Sequence, residues 1–162
     1  MISQSRLREI LNYDEATGVF TQRIKTSRRV QVGDVVGSND GRGYLKICIE
    51  GRRYYCHRLA WLWMTGKWIV EVDHANINKS DNRWNNLRKA TRSQNNANTT
   101  VRVNNTSGVK GVYWSKKDQK WYAKVVIAGK QKHLGSFDRK GQAAEAYKSG
   151  SIKEFGEFAR SS

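Results

Sequence analysis

Between Val72 and Thr100 the chain runs "VDHANINKSDNRWNNLRKATRSQNNANTT", with eight asparagines in that stretch. Asparagine forms neither helix nor strand well, so a long regular element cannot occupy this segment. It does suit turns and caps. The segment therefore divides into short pieces. "WIVEVDH" is a strand that ends on Asp73 and His74, and "ANINKSDNRWNN" is a polar loop. "LRKAT" is a second short strand, and Ser93 is expected to cap a helix starting at "QNNAN". The result is strand, loop, strand and helix around one polar centre.

The flanking sequence is less constrained. Ser3 is expected to cap a helix through about Asn12, with Leu7, Ile10 and Leu11 on one face. "DEATG" reads as a turn, "VFTQRI" as a strand, and "ICIEGRRYYC" as a hairpin turning near Glu50-Gly51. "HRLAWLWMTG" suits a helix stopped by Gly66, with His57 at its start in a packed structural role. The glycines of "GDVVGSNDGRG" lack the context of a phosphate-binding loop and read as turns.

Charge narrows the class of partner. Lys and Arg number 30 against 14 Asp and Glu, giving a formal net charge of +16. The excess is not confined to a tail: 18 cationic residues face 9 acidic ones through Val103, and 12 face 5 beyond it. A polyanion, with nucleic acid leading, is the expected partner. No apolar run approaches the ~18 residues of a membrane-spanning helix, and no signal peptide is recognised at the start. No membrane association is therefore expected. The two cysteines, Cys48 and Cys56, are read as reduced thiols, and no structural zinc is expected.

Hydrolysis of a phosphodiester needs a proton acceptor for the attacking water and positive charge at the leaving oxygen. His74 can serve as the first near neutral pH. Asp73 and an asparagine amide oxygen are hard donors suited to Mg²⁺ or Mn²⁺. A further residue must hold the imidazole in the correct tautomer.

This ordered set resembles the HNH endonucleases, whose strand-loop-strand-helix unit is the ββα-metal fold. The likeness is to phage and intron-encoded homing endonucleases. The resemblance implies that Asp73 binds the divalent metal, Mg²⁺ or Mn²⁺, with Asn95, and that His74 is the general base. Asn86 would orient the base, Asn96 is the fallback ligand, Asn82 would stabilise the loop, and Glu71 would be an outer acid. It also implies a phage protein acting in the cytoplasm of an infected bacterial host.

The second half, "SGVKGVYWSKKDQKWYAKVVIAGKQKHLGSFDRKGQAAEAYKSGSIKEFGEFA", resembles the ethylene-response-factor (Apetala-two) DNA-binding domain over most of residues 107 to 159. The alternation of "KWYAKVVI" places Trp121, Ala123, Val125 and Ile127 on one face, toward an alanine-rich helix, and Tyr122, Lys124 and Val126 on the other. By matching positions, Lys110, Tyr113, Lys117, Lys124, Gln131 and His133 are candidate groove-side residues. Arg52, Arg53, Arg88 and Arg92 are candidate phosphate contacts. The expected fold class is α+β: a strand-rich N-terminal region with the ββα-metal motif, then a three-stranded antiparallel sheet packed on one helix. The expected divisions are residues 1–100, a linker at 101–107, and 108–162. Two functions follow, a metal-dependent DNA endonuclease or a sequence-specific DNA-binding regulator without catalysis.

Overall fold

The computed structural model describes residues 1–160. They form two compact units, the first Met1–Lys89 and the second beginning at Ala90. The division falls before the stretch expected as a linker. Within that stretch Ser107 is buried, and its hydroxyl lies within hydrogen-bond distance of Val109 O and Val112 O, at 2.9 and 2.7 Å. The Asn105 amide oxygen accepts from the Ser107 and Gly108 backbone N–H groups at 2.9 and 2.8 Å. Asparagine and serine here knit a turn into the second unit.

In the first unit, helix α1 (Gln4–Ile10) begins at Ser3, whose hydroxyl accepts from Arg6 N. It ends two residues short of the expected Asn12. Leu11 takes extended backbone and opens strand β1 (Leu11–Asp14), which pairs antiparallel with β2 (Val19–Gln22). The alternation of Leu11 and Tyr13 inward with Asn12 and Asp14 outward won over continued helix. Short strand β3 (Val35–Val36) extends this sheet. A second sheet contains β4 (Ser38–Asn39), β5 (Leu45–Ile49) and β6 (Arg52–Tyr55), with the β5–β6 hairpin turning at Glu50-Gly51.

Helix α2 (Cys56–Thr65) follows β6 directly and ends at Gly66, whose φ of 71° closes the last turn. It buries Cys56, His57, Leu59, Ala60 and Leu62. Cys56, Leu59, Ala60 and Leu62 join Leu7, Leu11, Phe20, Ile47 and Leu87 in one core. A Leu59→Ala change in such a place costs about 2–5 kcal/mol. Cys48 is an exposed free thiol and Cys56 a buried one.

Strands β7 (Val72–His74) and β8 (Leu87–Lys89) form a separate antiparallel pair in the register Val72 with Lys89, Asp73 with Arg88 and His74 with Leu87. The expected strand from Trp68 is thus reduced to its last three residues.

The second unit opens with helix α3 (Arg92–Ala97). Thr91, not Ser93, caps it, because Thr91 and Gln94 form a reciprocal capping box. The Ser93 hydroxyl instead accepts from Ala128 N at 2.8 Å. Strands β9 (Val112–Ser115), β10 (Lys120–Ile127) and β11 (Lys130–Phe137) form an antiparallel sheet with β10 central, followed by helix α4 (Lys140–Phe155). Ala123 and Val125 are buried with Ala143, Tyr147 and Phe155 of α4, and Trp121 and Ile127 pack against them. The face expected from the alternation is the one that meets the helix. Ala97 of α3 belongs to this same core. Among the described residues no helix is long and apolar enough to cross a membrane.

Candidate nuclease site

Strand β7 ends in three buried residues, Val72, Asp73 and His74. Burial of a carboxylate demands a partner, and the register supplies one. Arg88 lies directly across on β8, and its Nε donates to Asp73 Oδ2 at 2.8 Å. Arg88, expected as a phosphate contact, is therefore engaged with Asp73.

The loop between the strands is built by its asparagines and aspartate. Asn76 Oδ1 accepts from Asn78 N, and Asn78 Oδ1 accepts from Ser80 N, at 2.9 and 3.1 Å. Asp81 receives Arg83 through Nε at 2.8 Å and Nη2 at 2.6 Å, and also Asn76 Nδ2 at 2.7 Å. The Arg83 guanidinium lowers the Asp81 carboxyl to about 2.

Asn82 and Asn86 both brace the loop, and Asn82 also faces the ring. The Asn86 side chain spans the loop: its Oδ1 accepts from Asn76 N at 3.0 Å and its Nδ2 donates to Asp81 O at 2.8 Å. Asn82, only 1% exposed, has its Oδ1 3.4 Å from His74 Nε2. Its Nδ2 donates to Ser80 O at 3.0 Å, which turns the amide so that oxygen faces the ring. An amide oxygen accepts and cannot donate, so in this contact the ring nitrogen is the donor, and the contact favours the tautomer with its proton on Nε2. Sequence reasoning assigned Asn82 to the loop. The loop bond at Ser80 and the ring bond belong to one side chain, and spacing alone does not separate them.

The imidazole is enclosed by rings. His57 stands edge-on to it at 5.1 Å between centroids, and Tyr44 lies 6.1 Å away. Tyr55 stacks on His57 at 5.2 Å. His57 is buried, as expected for a packed residue, and its Nδ1 has no hydrogen-bond partner among the described residues. Burial, with a smaller contribution from His74, lowers its pKa to about 3. Burial also lowers that of His74, against the opposing pull of the Asn82 bond and of Asp73. Both rings are thereby biased toward the neutral form, the one able to accept a proton.

Residues 54–97 match the HNH endonuclease family model. The chain is also 37% identical over 67 residues to Protein 3.8 of Escherichia phage T7, covering 41% of this chain. It spans about half, 55%, of that relative's length. The HNH segment begins on β6 and ends with α3, so it straddles the boundary between the two units.

Its last element is α3, which carries Asn95, half-buried, and Asn96, exposed. Lys110 closes the end of that helix. Its ammonium donates to Asn96 O, Ala97 O and Thr99 O at 2.8, 2.7 and 2.9 Å. Burial brings its pKa down to about 8. Lys110, expected to face DNA, thus spends its donors on carbonyls that the helix end leaves open. The carboxylate of Asp73 is a hard donor whose chemistry fits a divalent cation such as Mg²⁺ or Mn²⁺, and so, on the second unit, is the amide oxygen of Asn95 taken by itself.

The remaining expected contacts lie elsewhere. Arg52 and Arg53 are exposed on β6, and Arg92 is exposed at the start of α3. On the sheet face away from α4, Tyr113 stacks on Tyr122 at 5.5 Å, and Tyr122 meets His133 at 5.3 Å. A register shift after Ala123 brings His133 opposite Lys124. The Lys124 ammonium lies 4.7 Å from the Tyr113 ring centre and donates to Gln131 Oε1 at 3.1 Å. Lys117 is exposed in the β9–β10 turn.

Proposed function

We propose that the chain is a metal-dependent DNA endonuclease of the homing type, in which His74 is the general base and the second unit reads the duplex. The observation that carries this reading is the His74 ring itself. It is buried in the HNH segment, its Nε2 faces a fixed amide oxygen, and Asp73 precedes it on the same strand.

The chemistry follows from those positions. His74 Nδ1 takes a proton from water, and the resulting hydroxide attacks phosphorus in line with the 3′ oxygen. The P–O3′ bond breaks as the new P–O bond forms, leaving a 5′ phosphate and, after protonation, a 3′ hydroxyl. Asn82 keeps the Nε2–H oriented while positive charge develops on the ring. Arg88 holds the Asp73 carboxylate at the end of β7. Asp73 would hold the divalent ion, Mg²⁺ or Mn²⁺, which when bound supplies positive charge at the departing 3′ oxygen.

The sheet face bearing Tyr113, Lys124, Gln131 and His133 offers stacking, cationic and hydrogen-bonding groups together, a combination suited to the major groove. Attachment of such a reader raises the local concentration of the catalytic unit at its target. An enzyme of this kind works on duplex DNA as its partner, in the cytoplasm of the phage-infected bacterium. A plasmid-nicking assay with Mg²⁺ or Mn²⁺ tests the reading. Wild type is expected to convert supercoiled DNA to open circles or linear product, and His74→Ala to leave it intact. Equal inertness of both proteins, with tight duplex binding retained, would establish the non-catalytic regulator instead.

A further inference from the structure

We infer that the N-terminal hairpin is a positioning element of the nuclease site, with Tyr13 and Gly18 clamping the Asn82 backbone so that its amide oxygen holds the His74 ring. This inference rests on the proposed role of His74 as base.

Three contacts from one turn converge on adjacent peptides of the loop. The Tyr13 hydroxyl donates to Asn82 O at 2.6 Å across 69 residues of sequence. Glu15 O accepts from Trp84 N at 2.9 Å. Between them Gly18, with φ of 74°, lies against the Asn82–Arg83 peptide so closely that a Cβ would fall 2.4 Å from Arg83 N and from Asn82 C. No side chain fits there, and the positive φ independently favours glycine.

The turn that makes these contacts is stiff. Asp14 Oδ1 accepts from Ala16 N at 2.9 Å, and Gly18 N donates to Asp14 O at 2.8 Å. Tyr13 is anchored by its ring, 4.7 Å from Phe20 and 6.4 Å from Trp63. Burial raises its phenol pKa, so the hydroxyl stays a donor. On the other side of the clamped peptide, Asn82 has its amide set by Ser80 O and its Oδ1 at His74 Nε2. The Asn82–His74 contact is 3.4 Å, at the long end for a hydrogen bond. A small backbone shift at Asn82 breaks it and removes the acceptor that favours the Nε2–H tautomer. Small misplacements of this kind lower the chemical step while leaving DNA affinity intact.

The test uses the full chain with ¹⁵N-labelled histidine and reads the His74 tautomer by long-range ¹H–¹⁵N correlation, alongside plasmid cleavage. Tyr13→Phe keeps the ring packing and removes only the donor. Wild type is expected to carry the His74 proton on Nε2. Tyr13→Phe is expected to show a mixture of tautomers and to lose about tenfold in kcat, with KM within about twofold. Gly18→Ala is the second variant, expected to act in the same direction. Folded Tyr13→Phe with wild-type tautomer and kcat would overturn the inference, even if its melting temperature fell, because a purely structural clamp predicts that pattern. The tautomer is read without DNA or metal. An inert wild type with the expected tautomer change in Tyr13→Phe would therefore remove the nuclease proposal and leave the positioning relation standing.

Discussion

The polar centre of the first unit and the open sheet face of the second both carry histidine, tyrosine and cationic side chains, but under opposite conditions. Around His74 the groups are largely buried, and four of them are oriented by a neighbour: Asp73 by Arg88, His74 by Asn82, and Asn82 and Asn86 by backbone groups. On the sheet, Tyr113, Gln131 and His133 are exposed and their partners lie along the same surface. Buried groups are preorganised and hard to alter without damage. Exposed groups are individually replaceable. The first arrangement suits a reaction that must be oriented, the second a surface that must adapt to a sequence.

The sharpest way to break that comparison is to separate rate from affinity. His74→Ala is expected to lower the cleavage rate by about 10²–10⁴, the usual contribution of a general base, with duplex binding nearly unchanged. Tyr113→Ala should do the reverse, weakening binding while leaving the rate at saturating DNA within about threefold. Single-turnover cleavage and filter binding measure the two effects. A loss of chemical rate in the Tyr113 variant at saturation would show that the two regions do not divide the work.

Next in size is the buried pair. Arg88→Met leaves Asp73 buried without this partner, and breaking such a pair costs about 3–5 kcal/mol. Chemical denaturation should detect it. An equivalent change on the sheet, Lys132→Met, breaks an ion pair with Glu154 in which the lysine side chain is 53% exposed, so its cost should stay below about 1 kcal/mol.

Acid should also separate the regions. The folded-state pKa of His57 lies near 3, below the ordinary 6.5. In that interval the unfolded chain binds the proton and the folded chain does not. The stability from burying neutral imidazole is therefore complete above about pH 6.5 and is lost as pH falls toward 3. His74 shifts in the same direction. Denaturation at pH 7 and pH 4.5 should show a loss on the order of 2 kcal/mol in wild type, and a smaller loss in His57→Phe. The same pH dependence in both proteins would remove His57 as its source.

How much of this was legible in the chain depends on the range of the interactions. The sheet was readable because alternation is local: Ala123 and Val125 lie inward, as every second residue of a strand must. The Asp73–His74 pair and the loop behind it were readable from the kinds of residue present. The partner of Asp73 was not, because it required the register that sets Arg88 opposite it. Nor was the function of Lys110, whose acceptors lie 11 to 14 residues back at a helix end. The placing of Asn82 beside the ring, in addition to its loop bond, has the same cause. Both are asparagines in one loop, and only the fold decides which reaches the ring.

The smallest expected effect belongs to Lys124, and it tests whether the open face contacts phosphate at all. Its ammonium lies near the Tyr113 ring and Gln131, with the side chain only partly covered. Lys124→Met should leave folding stability within about 0.5 kcal/mol, as surface changes usually do. If the ammonium neutralises one phosphate, the slope of log affinity against log salt should fall by about one. An unchanged slope with weaker binding would instead assign Lys124 to base edges, and the face would then read sequence through its cation as well as through its rings. No change in either quantity would mean that Lys124 serves only to hold Tyr113 and Gln131, leaving the aromatic ladder to make the contact.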